Sequence, residues 1–300
     1  RLLLRRKPCR RQLRKPRQKN PHLPRVAKNN HPIGIFDSGY GGLTVFRSIR
    51  DFLPQYDYLY LGDNARAPYG NRSFDTVYEY TLQSVEWFFK QGCPLVILAC
   101  NTASAKALRT IQQNDLAQRY PDKRVLGVIR PTAEVIAGYS RSGKIGILGT
   151  IGTINSQSYC IEINHFSPST TVYQQACPMW VPFIENGSHI GNEMDYFIES
   201  DLKALFEQNA EIDTILLGCT HYPLIIDKIR QYVPPHVTIV SQGNIVASSL
   251  VDYLLRHPDM ASRLTKNGMT EFCTTDDPVN FATQGRMFLD EEIEAKHVRL

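Results

Sequence analysis

The sequence predicts an α/β protein made of two doubly wound domains with parallel sheets. Short, continuous apolar segments alternate with longer segments of helical periodicity along most of the 300 residues. Strands that are apolar throughout are typical of parallel sheets that helices cover on both faces. Segments 95–102 and 215–221 also resemble each other, because each is an apolar strand followed by Cys and small polar residues. This similarity favours two related halves that face each other.

The predicted elements form two consecutive series of strands and helices. The strands of the first series are 32–36, 56–61 and 94–99. Its helices are 43–52, 73–91 and 104–113, and Ser73 is the predicted N-cap of the second. The strands of the second series are 125–129, 144–148, 172–176, 214–217, 237–240 and 271–275. Its helices are 132–139, 155–163, 194–209, 223–232 and 246–256. Ligands of open α/β sheets bind outside the carboxyl ends of the strands, so the residues after each strand are the candidates for a site.

The net charge of +5 arises in residues 1–30, which hold twelve Lys and Arg and no acidic residue. Removing these twelve from the 34 basic residues leaves 22 against 29 acidic ones, so the remainder carries −7. We therefore expect no nucleic-acid binding by the folded core. Residues 1–30 hold too little apolar surface to fold and are predicted to be disordered. We favour a non-functional extension over a transit peptide or a nucleic-acid-binding arm.

The seven cysteines are widely spaced, and no two of them lie within four residues. This spacing excludes a CxxC zinc or redox motif and favours free thiols in a reducing cytoplasm. No apolar window approaches the roughly 18 residues that a membrane-spanning helix needs. We therefore predict a soluble, cytoplasmic protein without a membrane segment.

Four of the predicted strands end in reactive or polar residues. These ends are Asp37–Gly42, Asp63–Gly70, Cys100–Ser104 and Cys219–His221. A lone cysteine is usually a buried apolar filler, and Cys93, Cys160, Cys177 and Cys273 are assigned that role. Cys100 and Cys219 differ, because each stands where a strand is predicted to enter a helix whose N-terminus would lower the thiol pKa.

Two thiols that face each other across a cleft suit the inversion of an amino-acid Cα. One thiolate removes the proton from one face, and the opposite thiol adds a proton to the other face. Asp37 and His221 are the natural helpers of this pair, although Asp37 is also a plausible loop cap and His221 a plausible helix-start residue. Gly39–Gly42 lacks the spacing of a nucleotide-binding loop, but the helix start after it suits a carboxylate.

At these motifs the chain resembles the glutamate racemase family, within the aspartate/glutamate racemase superfamily. The matching stretches are 34–45 (GIFDSGYGGLTV), 61–70 (LGDNARAPYG), 99–104 (ACNTAS), 217–223 (LGCTHYP) and the looser 177–187 (CPMWVPFIENG). The resemblance covers about residues 32–290 and implies two α/β domains with the active site in the cleft between them. The first domain would comprise residues 31–129 plus 242–290, and the second would comprise residues 130–241.

The resemblance also implies a role for each matching residue. The catalytic residues would be Cys100 and Cys219, assisted by Asp37, His221 and Glu185. The substrate-binding residues would be Asp37, Ser38, Pro68, Tyr69, Gly70, Asn101, Thr102, Thr150, Thr220 and His221. Of these, Tyr69 and Gly70 would lie near the side-chain carboxylate of the substrate. Thr150 matches less closely, and Glu185 alone would also fit an exposed loop.

Family members use neither pyridoxal phosphate nor a metal, so we expect no cofactor. They usually form homodimers and supply D-glutamate for bacterial peptidoglycan. The chain departs from the family pattern at 128–132 and at Ser241-Gln242-Gly243, where many members have Asp-Ser.

Three alternatives remain open. The first is an aspartate or other amino-acid racemase with the same two cysteines. The second is a non-enzymatic regulator that acts through residues 1–30. The third is a zinc site built from Cys100, Cys219 and His221.

Overall fold

The computed structural model describes residues 31–300, which form one compact unit. The predicted disorder of residues 1–30 lies outside the described residues. The strands are Ile33–Asp37 (β1), Tyr58–Gly62 (β2), Leu95–Leu98 (β3), Arg124–Gly127 (β4), Lys144–Gly149 (β5), Thr171–Ala176 (β6), Thr214–Leu217 (β7), Thr238–Val240 (β8), Thr270–Thr274 (β9) and Ala295–His297 (β10).

These strands form two sheets in which every pairing is parallel. The first sheet has six strands in the order β10-β9-β2-β1-β3-β4, and the second has four in the order β6-β5-β7-β8. The chain passes to the second sheet after β4 and returns to the first sheet after β8. The predicted fold class, α/β with two doubly wound parallel sheets, is confirmed. The residue bounds of the two domains stay a prediction.

Helices connect the strands and cover the sheets. The α-helices are Gly42–Phe52, Phe74–Lys90, Asn101–Lys106, Leu108–Thr110, Ala117–Arg119, Ile129–Val135, Ile151–Asn155, Ser158–Phe166, Trp180–Glu185, Glu193–Gln208, Ile226–Tyr232, Gly243–Arg256, Pro258–Arg263 and Pro278–Leu289. Ile111–Leu116 is a π-helical segment, and Asn64–Arg66, Ile136–Tyr139, Ser188–Ile190 and Tyr222–Ile225 are 3₁₀ turns. Ser73 caps its helix as predicted, because its Oγ accepts a hydrogen bond from Thr76 N at 3.2 Å.

Several predicted helix boundaries are wrong. The helix predicted at 104–113 begins at Asn101. The helix predicted at 155–163 is two helices, which meet at Gln157, a residue with a left-handed backbone. The helix predicted at 223–232 opens with the 3₁₀ turn Tyr222–Ile225, which holds Pro223, and its α-helical part begins at Ile226.

Elements without a counterpart in the sequence prediction include the strand β10 and the helices Trp180–Glu185, Pro258–Arg263 and Pro278–Leu289. The last of these helices carries ordinary start signals. Asp277 accepts hydrogen bonds from Val279 N and Asn280 N, and Pro278 occupies its first turn.

The registers align the carboxyl ends of the central strands. In the first sheet, Phe36 of β1 lies opposite Leu98 of β3. In the second sheet, Leu148 of β5 lies opposite Leu217 of β7. The residues that follow these strands therefore emerge together at one edge of each sheet. Among residues 31–300, no helix is long and apolar enough to cross a bilayer.

Candidate active site

A small cavity lies at the carboxyl ends of both sheets and has a volume of about 60 Å³. It is lined by residues that follow β1, β2 and β3 of the first sheet and β5, β6 and β7 of the second. The predicted site residues that line it are Ser38, Pro68, Tyr69, Gly70, Cys100, Asn101, Thr102, Thr150, Glu185, Cys219, Thr220 and His221. The structure thus brings together every predicted site residue except Asp37 on the wall of one cavity.

Cys100 is the N-cap of the helix Asn101–Lys106, and its side chain is 5% exposed. Its Sγ accepts a hydrogen bond from Ala103 N at 3.4 Å and lies 3.4 Å from Ser38 Oγ. Burial raises the pKa of Cys100 to about 12, and the charge of Asp37 adds to the rise. The hydrogen bond from Ala103 N at the helix start does lower this thiol pKa, as predicted, but loss of solvation outweighs both hydrogen bonds, so the net shift is upward.

Cys219 follows β7 and is 6% exposed. No α-helix starts at this thiol, contrary to the prediction, because the 3₁₀ turn Tyr222–Ile225 comes first and the α-helix begins at Ile226. Its Sγ lies 3.8 Å from Nδ1 of His221. Cys219 is therefore paired with an imidazole, whereas Cys100 is paired with a hydroxyl and a backbone N–H.

His221 links Cys219 to Glu185. Its Nε2 lies 2.9 Å from Glu185 Oε1, and the ring is 5% exposed. Burial disfavours the charged ring, but the hydrogen bonds to Cys219 and Glu185 outweigh burial and raise the pKa of His221 to about 10. Glu185 is the last residue of the short helix Trp180–Glu185, so the alternative that it is an exposed loop residue does not apply.

Asp37 lies behind the cavity wall at the end of β1 and is 1% exposed. Gly39 N donates a hydrogen bond to its Oδ2 at 2.9 Å. Burial raises the pKa of Asp37, while the nearby charge of His221 opposes the rise. The loop-cap role and an electrostatic role toward the site thus coexist in this carboxylate.

Threonine hydroxyls join the two sheets on one side of the cavity. Thr102 lies in the helix Asn101–Lys106, which Cys100 caps. Its Oγ1 lies 3.0 Å from Oγ1 of Thr150, the residue that follows β5. Thr150 also caps the helix Ile151–Asn155 through Thr153 N at 3.3 Å. Beside them, Gly152 N donates to Gly70 O at 2.8 Å. Thr150, which matches the family less closely than the other residues do, therefore lies on the cavity wall.

The glycine-rich loop after β1 packs closely against the segment that carries the second cysteine. A Cβ on Gly41 would lie 2.3 Å from both His221 Nδ1 and Thr220 Oγ1. One turn later, Thr44 Oγ1 donates to Thr220 O at 2.9 Å. Gly41 lacks a side chain at the point where these two parts of the chain meet, and this close approach accounts for the glycine.

Tyr69 lines the cavity with its ring and is held by its hydroxyl. The hydroxyl donates to Asp63 Oδ2, and Arg66 Nε binds the same oxygen at 2.6 Å. Thr275 Oγ1 donates to Asp63 Oδ1 at 2.8 Å, so a buried carboxylate anchors the loop 64–71. The strand-end motif at 61–70 thus contains four wall residues, Ala67, Pro68, Tyr69 and Gly70, and the carboxylate that fixes Tyr69.

Sequence reasoning did not assign seven other residues of the cavity wall to the site. They are Ala67, Asn71, Ile151, Cys177, Pro178, Val181 and Pro182. Cys177 was assigned as apolar filler; it lies on the wall, and burial raises its pKa well above the ordinary range. The resemblance at 177–187 was the one available signal for this wall, because the short helix there gave no periodic pattern.

A second, larger cavity of about 660 Å³ is lined by residues of the helical segments 104–113, 129–134, 156–162 and 246–257. Of the predicted site residues, none lines it. We place the candidate site in the smaller cavity because the reactive side chains converge there. Within residues 31–300, no three His, Cys, Asp or Glu side chains are grouped so that they could hold a metal ion.

Comparison with known proteins agrees with this arrangement. The family model described as Asp/Glu/Hydantoin racemase matches residues 43–250. A protein of Corynebacterium diphtheriae named glutamate racemase is 40% identical over 265 residues, which cover 88% of this chain and 96% of that protein. The structure of glutamate racemase isoform RacE1 from Bacillus anthracis has a TM-score of 0.82 and 32% identity, covering 91% of this chain and 98% of that chain.

A further similar structure is glutamate racemase from Francisella tularensis in complex with D-glutamate. Its TM-score is 0.79 at 32% identity, and the match covers 90% of this chain and 98% of that chain. The resemblance that the sequence motifs indicated is confirmed. The chain belongs to the Asp/Glu/Hydantoin racemase family, a family of isomerases.

Proposed function

We propose that this protein interconverts L- and D-glutamate without a cofactor, with Cys100 and Cys219 as acid and base on opposite faces of Cα. The observation that carries the proposal is the placement of the two thiols. Each is more than nine-tenths buried, each follows a strand of a different sheet, and both line one cavity. A substrate held between them presents one face of Cα to each sulfur.

The reaction needs one proton removed and one added. The thiolate of one cysteine takes the Cα proton, and the electron pair of the broken C–H bond stays on Cα, delocalised into the adjacent carboxylate. The opposite thiol then gives its proton to the other face and becomes the thiolate. No oxidation occurs, and the two cysteines exchange roles for the reverse reaction. Because a Cα proton is far less acidic than a thiol, the site must stabilise the carbanion-like state with hydrogen-bond donors.

The two cysteines are prepared differently for this exchange. The raised pKa of Cys100 keeps it a neutral thiol in the empty cavity, ready to donate. The positive α-ammonium of a bound amino acid would favour its thiolate. His221, with a pKa of about 10, is protonated at neutral pH and stands next to Cys219. It can supply a proton to that sulfur, while Glu185 holds the charged ring in place.

The remaining wall residues suit a dicarboxylic amino acid. We assign Ser38, Asn101, Thr102 and Thr220 to the α-ammonium and α-carboxylate, and Pro68, Tyr69, Gly70 and Thr150 to the neighbourhood of the side-chain carboxylate. Glutamate is favoured over aspartate because the 40%-identical relative and the similar structures are named glutamate racemases. We further propose a cytoplasmic homodimer that supplies D-glutamate to bacterial peptidoglycan.

Proton NMR of L-glutamate in deuterated water, with protein free of metal and cofactor, tests the proposal. The wild type should remove the Cα–H signal and accumulate D-glutamate, and a chelator should have no effect. Cys100→Ala and Cys219→Ala should each abolish inversion, because one face then lacks its proton carrier. Each variant should still exchange the Cα proton of one enantiomer, and that enantiomer should differ between the two. Cys273→Ala, which removes a buried thiol outside the cavity, should behave as the wild type.

Other outcomes identify the alternatives. Exchange with aspartate but not glutamate would show that the substrate is wrong while the chemistry holds. Loss of activity on chelation would contradict the cofactor-independent mechanism. If no amino acid exchanges its Cα proton, the two-thiol mechanism is wrong and the regulator becomes the leading account. A salt-dependent DNA affinity that vanishes without residues 1–30 would then support that account.

A further inference from the structure

Three buried side chains form a hydrogen-bonded chain that ends at the cavity. Gln242 Nε2 donates to Tyr159 OH at 2.6 Å, and Tyr159 OH donates to Asn101 Oδ1 at 2.6 Å. The three residues are 4%, 0% and 2% exposed, respectively. Only Asn101 lines the cavity, so Tyr159 and Gln242 can reach a bound substrate only through it.

The direction of donation fixes the amide of Asn101. A tyrosine hydroxyl has one proton, and because it accepts from Gln242, its own proton is available to Asn101 Oδ1. Asn101 Oδ1 is therefore the acceptor, and Nδ2 is left without a hydrogen-bond partner among residues 31–300 although it is buried. A buried N–H without an acceptor is costly, and an oxygen of a ligand in the cavity would remove that cost.

Gln242 also connects the two places where the chain passes between the sheets. Its Nε2 lies 2.9 Å from Thr132 Oγ1 and 3.2 Å from Val128 O, just after β4, while Gln242 itself follows β8. The two protons on Gln242 Nε2 are shared among three acceptor oxygens, so the side-chain amide of Gln242 is held in place from several sides.

We infer that Tyr159 and Gln242 are positioning residues that hold the Asn101 amide with Nδ2 toward a substrate carboxylate. The inference rests on the proposed function. The glutamine amide orients the tyrosine hydroxyl, and the hydroxyl prevents the Asn101 amide from turning its oxygen toward the anionic substrate. Gln242 contacts both segments in which the chain passes between the sheets. The orientation of the Asn101 amide therefore depends on how the two sheets are joined.

Tyr159→Phe tests the inference because it removes the hydroxyl and keeps the ring. We expect the KM for L-glutamate to rise about three- to tenfold, the effect of one net hydrogen bond, with kcat changed less than about twofold. Gln242→Met, which keeps the length of the side chain, should show the same split. The matched control is Tyr58→Phe, which removes an equally buried hydroxyl that donates to Leu53 O at 2.7 Å, far from the cavity wall. Its KM and kcat should match the wild type.

A double-mutant comparison separates positioning from general loosening of the fold. If Tyr159 acts through Asn101, adding Tyr159→Phe to Asn101→Ala should raise KM no further. Where turnover is too slow, the Kd for glutamate by calorimetry replaces KM. A wild-type KM in Tyr159→Phe, or a further rise in the Asn101→Ala background, would overturn the inference while the proposed function stands. A wild type that neither binds nor racemises glutamate overturns both.

Discussion

Replacing Glu185 by Gln tests how the protein keeps His221 charged inside the cavity. The ring is 5% exposed, and its pKa of about 10 compares with an ordinary value of 6.5. Burial alone would lower the pKa, so the hydrogen bonds to Cys219 and Glu185 must outweigh it. At about 1.4 kcal/mol per pKa unit, the net rise corresponds to roughly 5 kcal/mol in favour of the charged ring after the opposing effect of burial.

Glutamine keeps the shape and the hydrogen-bond acceptor but removes the charge. The remaining hydrogen bond still has the charged imidazolium as its donor but loses the attraction between two opposite charges, which at such a distance is about 1 kcal/mol or more even in water. This loss of about 1 kcal/mol or more corresponds to roughly one pKa unit. We therefore expect the protonation midpoint of His221 in Glu185→Gln to fall by about one unit or more from the wild-type value of about 10.

The same change has a defined effect on stability. Because the folded-state pKa of His221 is raised, the ion pair contributes its full stability below about pH 6.5 and loses it as pH rises through about 10. The destabilisation by Glu185→Gln should be largest below about pH 6.5 and should disappear above about pH 10. NMR titration of the imidazole gives the midpoint, and thermal unfolding across pH gives the stability. Glu199→Gln removes an equal charge at an exposed position and serves as the control. An unchanged His221 midpoint in Glu185→Gln would refute the reasoning.

Two further predictions concern backbone packing and a surface turn. Gly41→Ala places a Cβ 2.3 Å from His221 Nδ1, so kcat should fall about tenfold or more while unfolding stays cooperative. Gly138→Ala adds a Cβ with nothing within 4 Å and should leave the kinetics unchanged; equal activity of the two variants would contradict the packing argument. Burial opposes ionisation of Asp213, but hydrogen bonds led by the Ser140 hydroxyl lower its pKa to about 2. Asp213→Asn should therefore cost about 1–2 kcal/mol in thermal unfolding at pH 7, and this cost should shrink as pH falls from about 4 to 2; a pH-independent cost would count against the assignment.

The sequence predicted the parts of the site that depend on local pattern. Cys100 and Cys219 both follow apolar strands, and parallel sheets align the carboxyl ends of such strands. This alignment places each cysteine at the carboxyl edge of its own sheet, and the similarity of segments 95–102 and 215–221 together with the family resemblance supplied the expectation that the two edges face each other. The N-cap role of Ser73 was equally predictable, since one side chain and the next turn of helix suffice to form it.

Pairings between side chains distant in sequence could not be predicted in the same way. Glu185 and His221 lie on different connections of the second sheet, and their 2.9 Å contact depends on how the helix Trp180–Glu185 packs. That helix is short and contains Pro182, so its sequence has no clear period. The high pKa of Cys100 was also beyond reach, because it arises from burial, and burial is a property of the closed cavity.

Burial of the two thiols bears on how a substrate reaches them. Cys100 and Cys219 are 5% and 6% exposed, so a substrate that needs more room between them would have to move the two sheets apart. Separation must break the hydrogen bonds that cross the cleft, such as Thr44 to Thr220 and Thr102 to Thr150. Each is a neutral bond with a net contribution of about 1 kcal/mol, so these bonds can re-form in every turnover. The charged His221–Glu185 pair joins two connections of the second sheet, so a movement of one sheet against the other would leave this pair intact.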